Sequence, residues 1–243
     1  MWARGSSLVI PLPRSPGNTA DRANSNASAV SCQRGQQEKA LPQISAIFWD
    51  IGGVLLSNAW DREQRMRALE QFHLDEAEFH DRHEMVVSSF ERGKISLKGY
   101  LDRTIFYRPR PFAREAFQEY MFSLSQPEQD VLAFAKSLAK SRKYLMSTIN
   151  NESRELNLHR IQTFGLREIF TLFVSSCFVG LRKPEEGIYR MALDETQKPP
   201  EECCFIDDRA LNLETAQHLG MHTIEMKNVG QLKNELQALD VGL

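Results

Sequence analysis

The chain has 243 residues, 42% of them hydrophobic and 26% charged, with a formal net charge of -2. That length suits one domain, or one domain carrying an inserted subdomain. Basic residues are scattered rather than blocked, which excludes the electrostatic footprint of a nucleic-acid binder, and no apolar run reaches the ~18 residues that a bilayer span needs.

Residues 1–43 are rich in Ser, Asn, Arg, Gly and Pro and show no sustained apolar periodicity. Such a segment buries too little surface to offset its ordering entropy, so a disordered tail is expected. Arg4, Arg14 and Arg22 hint only faintly at an organellar presequence; an extended start or a plain tail is the expectation.

Ala46 to Trp49 are apolar, as suits a strand buried on both faces of a parallel sheet, and Asp50 follows at once with Gly52 and Gly53 behind it. From 59 to 125 the spacing turns helical: Met66, Leu69, Phe72, Phe79, Met85, Val86 and Phe90 recur at three- and four-residue intervals. Gly93 reads as a helix end and Ser96 as the cap of the next helix, with a further helical stretch over 112–124. This block is expected to be an all-helical insertion. His80 and His83 fall within it, within reach of the site, but a surface role is expected, and Phe90 reads as part of its core.

Strands and helices then alternate. Helices are expected at 127–140, 153–164, 184–195 and 211–219, and strands at 143–146, 172–175, 203–206 and 222–226. The second strand is read as ending at Ser147. Adjacent Cys203 and Cys204 should point to opposite faces of their strand. With Cys32 and Cys177 they form no CxxC pair, so thiolate metal sites and redox chemistry are disfavoured, and a reducing cytoplasm is the expected compartment. The alternation argues for an α/β fold with a parallel, doubly wound sheet and right-handed crossovers.

Asp50, Ser147, Lys183 and the pair Asp207-Asp208 all fall at carboxyl ends of strands or on the loops behind them, where ligands sit in open α/β sheets. Clustered carboxylates repel unless a cation lies among them. With hard oxygen ligands and no histidine cluster, Mg²⁺ is the natural candidate. Lys183 and Ser147 would then hold phosphate oxygens, leaving Asp50 to attack phosphorus.

Phe48-Trp-Asp-Ile-Gly-Gly-Val-Leu55, Leu145-Met-Ser147, Val179-Gly-Leu-Arg-Lys-Pro184 and Phe205-Ile-Asp-Asp208 with Asn212 resemble, in order and spacing, the four motifs of the haloacid dehalogenase-like (HAD) hydrolases. The resemblance implies a Rossmann-like core over 44–58 and 126–243, with strand order 5-4-1-2-3. It implies a small all-helical cap over 59–125, as in subfamily IA. It also implies Asp50 as nucleophile, Ser147 as phosphoryl ligand, and Lys183 as the balancing charge. Magnesium would be held by Asp50, the Gly52 carbonyl and Asp208, with Asp207 and Asn212 in or beside that shell. The expected activity is Mg²⁺-dependent hydrolysis of a small phosphorylated metabolite through an aspartyl-phosphate.

One position departs from the pattern. Family phosphatases usually carry a second Asp two residues after the nucleophile, as general acid; here Gly52 stands there. The Asp-x-Gly-Gly-Val form resembles a branch that includes sugar-1-phosphate phosphatases. Without that acid, turnover is expected to depend steeply on leaving-group pKa. The competing readings are carbon–halogen hydrolysis, which needs no magnesium, and a catalytically weak protein that binds a phosphorylated ligand or a protein partner.

Overall fold

The computed structural model describes residues 43–243, so the tail expected at 1–43 lies, apart from Gln43, outside the described residues. Strand β1 (Ala46–Trp49) is buried at every position. Four helices follow it: α1 (Arg62–Gln71), α2 (Glu76–Glu91), α3 (Leu97–Thr104) and α4 (Arg114–Ser123). Then come α5 (Gln129–Ser141), β2 (Leu145–Asn150), α6 (Arg154–Thr163), β3 (Leu172–Ser175) and the short α7 (Ser176–Val179). The chain closes with α8 (Glu186–Thr196), β4 (Cys203–Asp207), α9 (Ala210–His218), β5 (His222–Glu225) and α10 (Val229–Ala238).

The five strands form one parallel sheet in the order β3-β2-β1-β4-β5, the expected order viewed from the other edge. Trp49 lies level with Thr148 of β2 and Ile206 of β4. One residue further on, the Asp50 amide donates to the Ile206 carbonyl at 2.8 Å. This register sets Asp50 beside Asp207 at the carboxyl rim.

Strand alternation sends successive side chains of β1 into two separate cores. Ile47 and Trp49 pack with Val131 and Leu138 of α5 and Leu232 and Leu236 of α10. Ala46 and Phe48 pack with Ile188 and Tyr189 of α8 and Leu213 and Ala216 of α9. Cys203 and Cys204 divide between the same two cores, as their adjacency requires. Trp49 has no exposed surface, and truncating such a side chain to Ala costs about 3–5 kcal/mol.

The insertion after β1 packs around a core of its own, in which Phe79, Phe90, Tyr100 and Phe117 are joined by Leu156 from α6. The Phe90 and Tyr100 rings stack at 4.1 Å. Its first helical stretch is broken in two, because His73 adopts a left-handed φ of 51° and Asp75 caps α2 by accepting from the Glu78 amide. Ser96 caps α3 as expected. Among the described residues no helix is long and apolar enough to cross a membrane.

Two boundaries move in ways that matter for the site. Strand β2 runs on to Asn150, three residues beyond the expected end. Helix α5 begins at Gln129 because Pro127 is tied to Leu56 in a bridge and the Glu128 amide donates to the Leu55 carbonyl. Helix α10 has no counterpart in the sequence expectation; Asn228 caps it by accepting from the Gln231 amide.

Candidate active site

Asp50, the first residue past β1, is nine-tenths buried. Its Oδ1 accepts from the Ile51 amide at 2.8 Å, and its Oδ2 lies 3.0 Å from Nζ of Lys183. Burial pushes the Asp50 carboxyl up to about 7; the Lys183 ammonium opposes this, while Asp207 and Asp208 reinforce it. Lys183 reaches the rim from the loop between α7 and α8 and bridges Asp50 to Asp207, whose Oδ2 is 2.5 Å away. Burial alone would lower the lysine, but the Asp50 and Asp207 carboxylates outweigh it and hold the ammonium above its ordinary range.

Asp207 is fully committed. Its two oxygens accept from Lys183, from the Arg209 amide at 2.9 Å, and from Nδ2 of Asn212 at 3.0 and 3.1 Å. Asn212, one turn into α9, thus fixes the carboxylate that fixes the lysine. Asp208 differs: its Oδ2 accepts from Asn58 at 3.3 Å, but its Oδ1 is buried with no partner. Burial raises the Asp208 carboxyl, with the Asn58 hydrogen bond pulling the other way.

Asp50, Asp207 and Asp208 each bring one carboxylate oxygen within 4.8 Å of the others. The single ammonium of Lys183 offsets only one of these three charges. An unpartnered buried carboxylate oxygen in such a cluster is what a hard divalent cation satisfies. The residues present therefore fit magnesium, and Asp208 has the free oxygen to offer while Asp207 has none.

Ser147 is not brought to the cluster. It lies level with Phe48 in the middle of β2, wholly buried, and its Oγ donates to the Leu172 carbonyl at 3.1 Å. Because the strand continues to Asn150, the rim position falls to Asn151 instead. Asn151 clamps the lysine loop from both sides: its Nδ2 donates to the Lys183 carbonyl at 2.9 Å and its Oδ1 accepts from the Lys183 amide at 2.8 Å. The rule that places site residues at strand ends finds Asn151 and Glu152 once β2 is given its true length.

A cavity of about 560 Å³ opens above the rim, with Asp50, Gly52 and Lys183 in its floor and Trp60, His83 and Phe90 of the insertion in its wall. His83 is thus a wall residue and not a surface one. It is 3% exposed and its Nδ1 lies 2.8 Å from the Tyr100 hydroxyl. Burial, with Arg65 and His80 adding to it, pushes its pKa down to about 3, so the ring is neutral at physiological pH. Arg160 of α6, which has no local sequence signature, also lines the cavity as a buried guanidinium beside Gly52.

The model of the haloacid dehalogenase-like hydrolases matches residues 44–220. The chain belongs to this family. Rat bifunctional epoxide hydrolase 2 is 38% identical over 72 residues, which are 30% of this chain and 13% of that protein's length. The Arabidopsis thaliana chloroplast flavin mononucleotide hydrolase 1 is 26% identical over 170 residues, 67% of this chain and 65% of the relative. Among solved structures, a HAD family enzyme of Bacteroides thetaiotaomicron, in complex with magnesium and inorganic phosphate, superposes with a TM-score of 0.63. It is 22% identical and the match covers 78% of this chain and 98% of that one. This HAD-like hydrolase spans about two thirds of the Arabidopsis protein but only 13% of the rat protein, which extends far beyond the matched region.

Proposed function

We propose that this HAD-like hydrolase is a Mg²⁺-dependent phosphatase that acts on a small phosphorylated metabolite through an aspartyl-phosphate on Asp50. The observation that carries the reading is the unpartnered, buried Oδ1 of Asp208 beside Asp50 and Asp207. Carbon–halogen hydrolysis needs no cation and gives that oxygen no task. The magnesium and phosphate held by the Bacteroides enzyme of the same fold support the same choice.

In this reading Asp50, the Gly52 carbonyl and Asp208 hold the metal. Bound there, magnesium would neutralise the carboxylates and polarise a phosphate oxygen. Residues 59–125 act as a cap over a core of 44–58 and 126–243, and their Trp60, His83 and Phe90 face the substrate. The Asp50 carboxylate attacks phosphorus; the ester bond breaks and the alcohol oxygen leaves with its electron pair. Water then attacks the acyl phosphate, releasing inorganic phosphate and restoring the carboxylate. Lys183 favours the ionised form of Asp50 against the effect of burial and holds it in place, and Asp207 with Asn212 keeps Lys183 in place. Ser147, turned into the sheet, takes no part. The Asp-x-Gly-Gly-Val turn resembles that of the sugar-1-phosphate phosphatases of subfamily IA, and on that resemblance anomeric phosphates head the substrate panel. The test is release of phosphate from that panel by the purified protein as Mg²⁺ is titrated. Activity on no phosphate ester at any concentration would refute the reading.

A further inference from the structure

Gly52 leaves the family's acid position without a side chain, yet the space is not empty of charge. A Cβ built on Gly52 would lie 3.4 Å from Nη1 of Arg160. Arg160 comes from α6, is 2% exposed, and lines the same cavity as Asp50 and Lys183.

Its guanidinium is held on three sides. Nε donates to Ser125 Oγ at 3.1 Å, Nη2 donates to the Ser57 carbonyl, and Nη1 lies 3.2 Å from Oε2 of Glu152. Glu152 is anchored in turn, its Oε1 accepting from the Ser153 amide at 2.8 Å. A structural ion pair that pins α6 to the turn after β1 accounts for these three contacts. It does not account for the rest of the fork. A guanidinium carries five N–H groups and stays protonated at any working pH, and three contacts leave two donors over. One of the two is on Nη1, the nitrogen that faces Gly52.

We propose that Arg160 stabilises the charge that develops on the leaving oxygen, in the space where a carboxylic acid at position 52 would otherwise protonate it. This rests on the phosphatase reading. The P–O ester bond breaks as the Asp50–phosphorus bond forms, and the departing oxygen keeps the electron pair. It leaves as an anion hydrogen-bonded to Nη1 and takes its proton from water; Arg160 gives none up. Glu152 is the positioning residue that orients the guanidinium. The arrangement suits esters whose leaving oxygen carries negative charge readily: aryl, enol, acyl and anomeric phosphates.

The experiment is kcat/KM over a series of alkyl, glycosyl and aryl phosphates, with uncatalysed hydrolysis of the same series run in parallel. In the wild type, the dependence on leaving-group pKa should be shallower than the uncatalysed one without vanishing. In Arg160→Met, made together with Glu152→Gln so that no buried carboxylate is left unpaired, the dependence should steepen. The loss should be on the order of 10²-fold for alkyl esters, as when one oxyanion donor is removed, and progressively smaller toward aryl esters. Arg160→Lys should recover part of the slope. An equal loss at every leaving group would overturn the proposal and leave Arg160 a structural pin. So would a wild-type slope that is flat or as steep as the uncatalysed one, a result that needs no variant to fold. If the wild type hydrolyses no ester in an Asp50-dependent way, the phosphatase reading itself fails, and that outcome is separate from the slopes.

Discussion

A Cβ placed on Gly53 would sit 2.2 Å from Oδ2 of Asp208 and 2.5 Å from its Cγ. The turn after β1 and the loop after β4 therefore meet only because residue 53 has no side chain, and its φ of +75° asks for glycine as well. Gly53→Ala must push the Asp208 carboxylate aside. We expect a stability loss of about 1–2 kcal/mol from backbone strain and a Mg²⁺ requirement raised about 10–100-fold, as when a ligand loses its support. The check is a magnesium titration of activity; an unchanged half-saturation would show that Asp208 does not hold the cation.

Metal-free stability should depend on pH through Asp50. Its folded-state carboxyl lies at about 7 against an ordinary 3.8, because burial outweighs Lys183. The folded protein then binds this proton more tightly than the unfolded chain does. That contribution is fully present below the ordinary value and lost as pH rises through about 7. In EDTA the melting temperature should fall between pH 5 and pH 8, at roughly 2–4 °C per kcal/mol, and Mg²⁺ should reverse much of the fall. Asp50→Asn should flatten the curve in part; Glu152 and Asp208, also raised by burial, keep the remainder. The same slope in wild type and variant would remove Asp50 as its source.

The strands were legible because buried strands are apolar runs whose carboxyl ends break into polar residues, whereas the sheet order comes from the resemblance to the HAD-like hydrolases. Asp50 directly follows such a run and the Asp207-Asp208 pair ends one, whereas Lys183 lies on the loop beyond α7. Ser147 misleads by the same rule: a hydroxyl inside a strand can satisfy itself on a neighbouring carbonyl, as Ser147 does on Leu172, so polarity there does not mark a strand end. Arg160 and Glu152 meet across a loop and a helix, and an ion pair made by tertiary packing leaves no local pattern. His83 reads as a surface residue because a histidine on a helix carries no local sign of which face turns inward.

Asn151 should matter to rate through Lys183. Its two hydrogen bonds to the lysine backbone each contribute about 0.5–1.5 kcal/mol. Asn151→Ala is expected to lower kcat about tenfold or more with little change in KM, read by steady-state kinetics. A wild-type kcat would mean that Asp50 and Asp207 alone suffice to hold the ammonium.

Restoring the acid requires one side chain to move. Gly52 is not in the left-handed region, and the tightest neighbour of an added Cβ is the side-chain end of Asn58, at 2.7 Å. Gly52→Asp, with Asn58 swung away, is expected to raise alkyl phosphate turnover up to ~10²-fold relative to aryl phosphates. An unchanged alkyl-to-aryl ratio would show that the leaving oxygen already receives a proton from another group.

The most direct measurement is hydrolysis of 4-nitrophenyl phosphate by the purified protein under three conditions: saturating Mg²⁺, exhaustive EDTA, and Asp50→Asn with Mg²⁺. The phosphatase reading expects turnover only in the first, with losses on the order of 10³-fold or more in the other two and circular dichroism unchanged by the substitution. Full activity in EDTA, or a wild-type rate in Asp50→Asn, would contradict it.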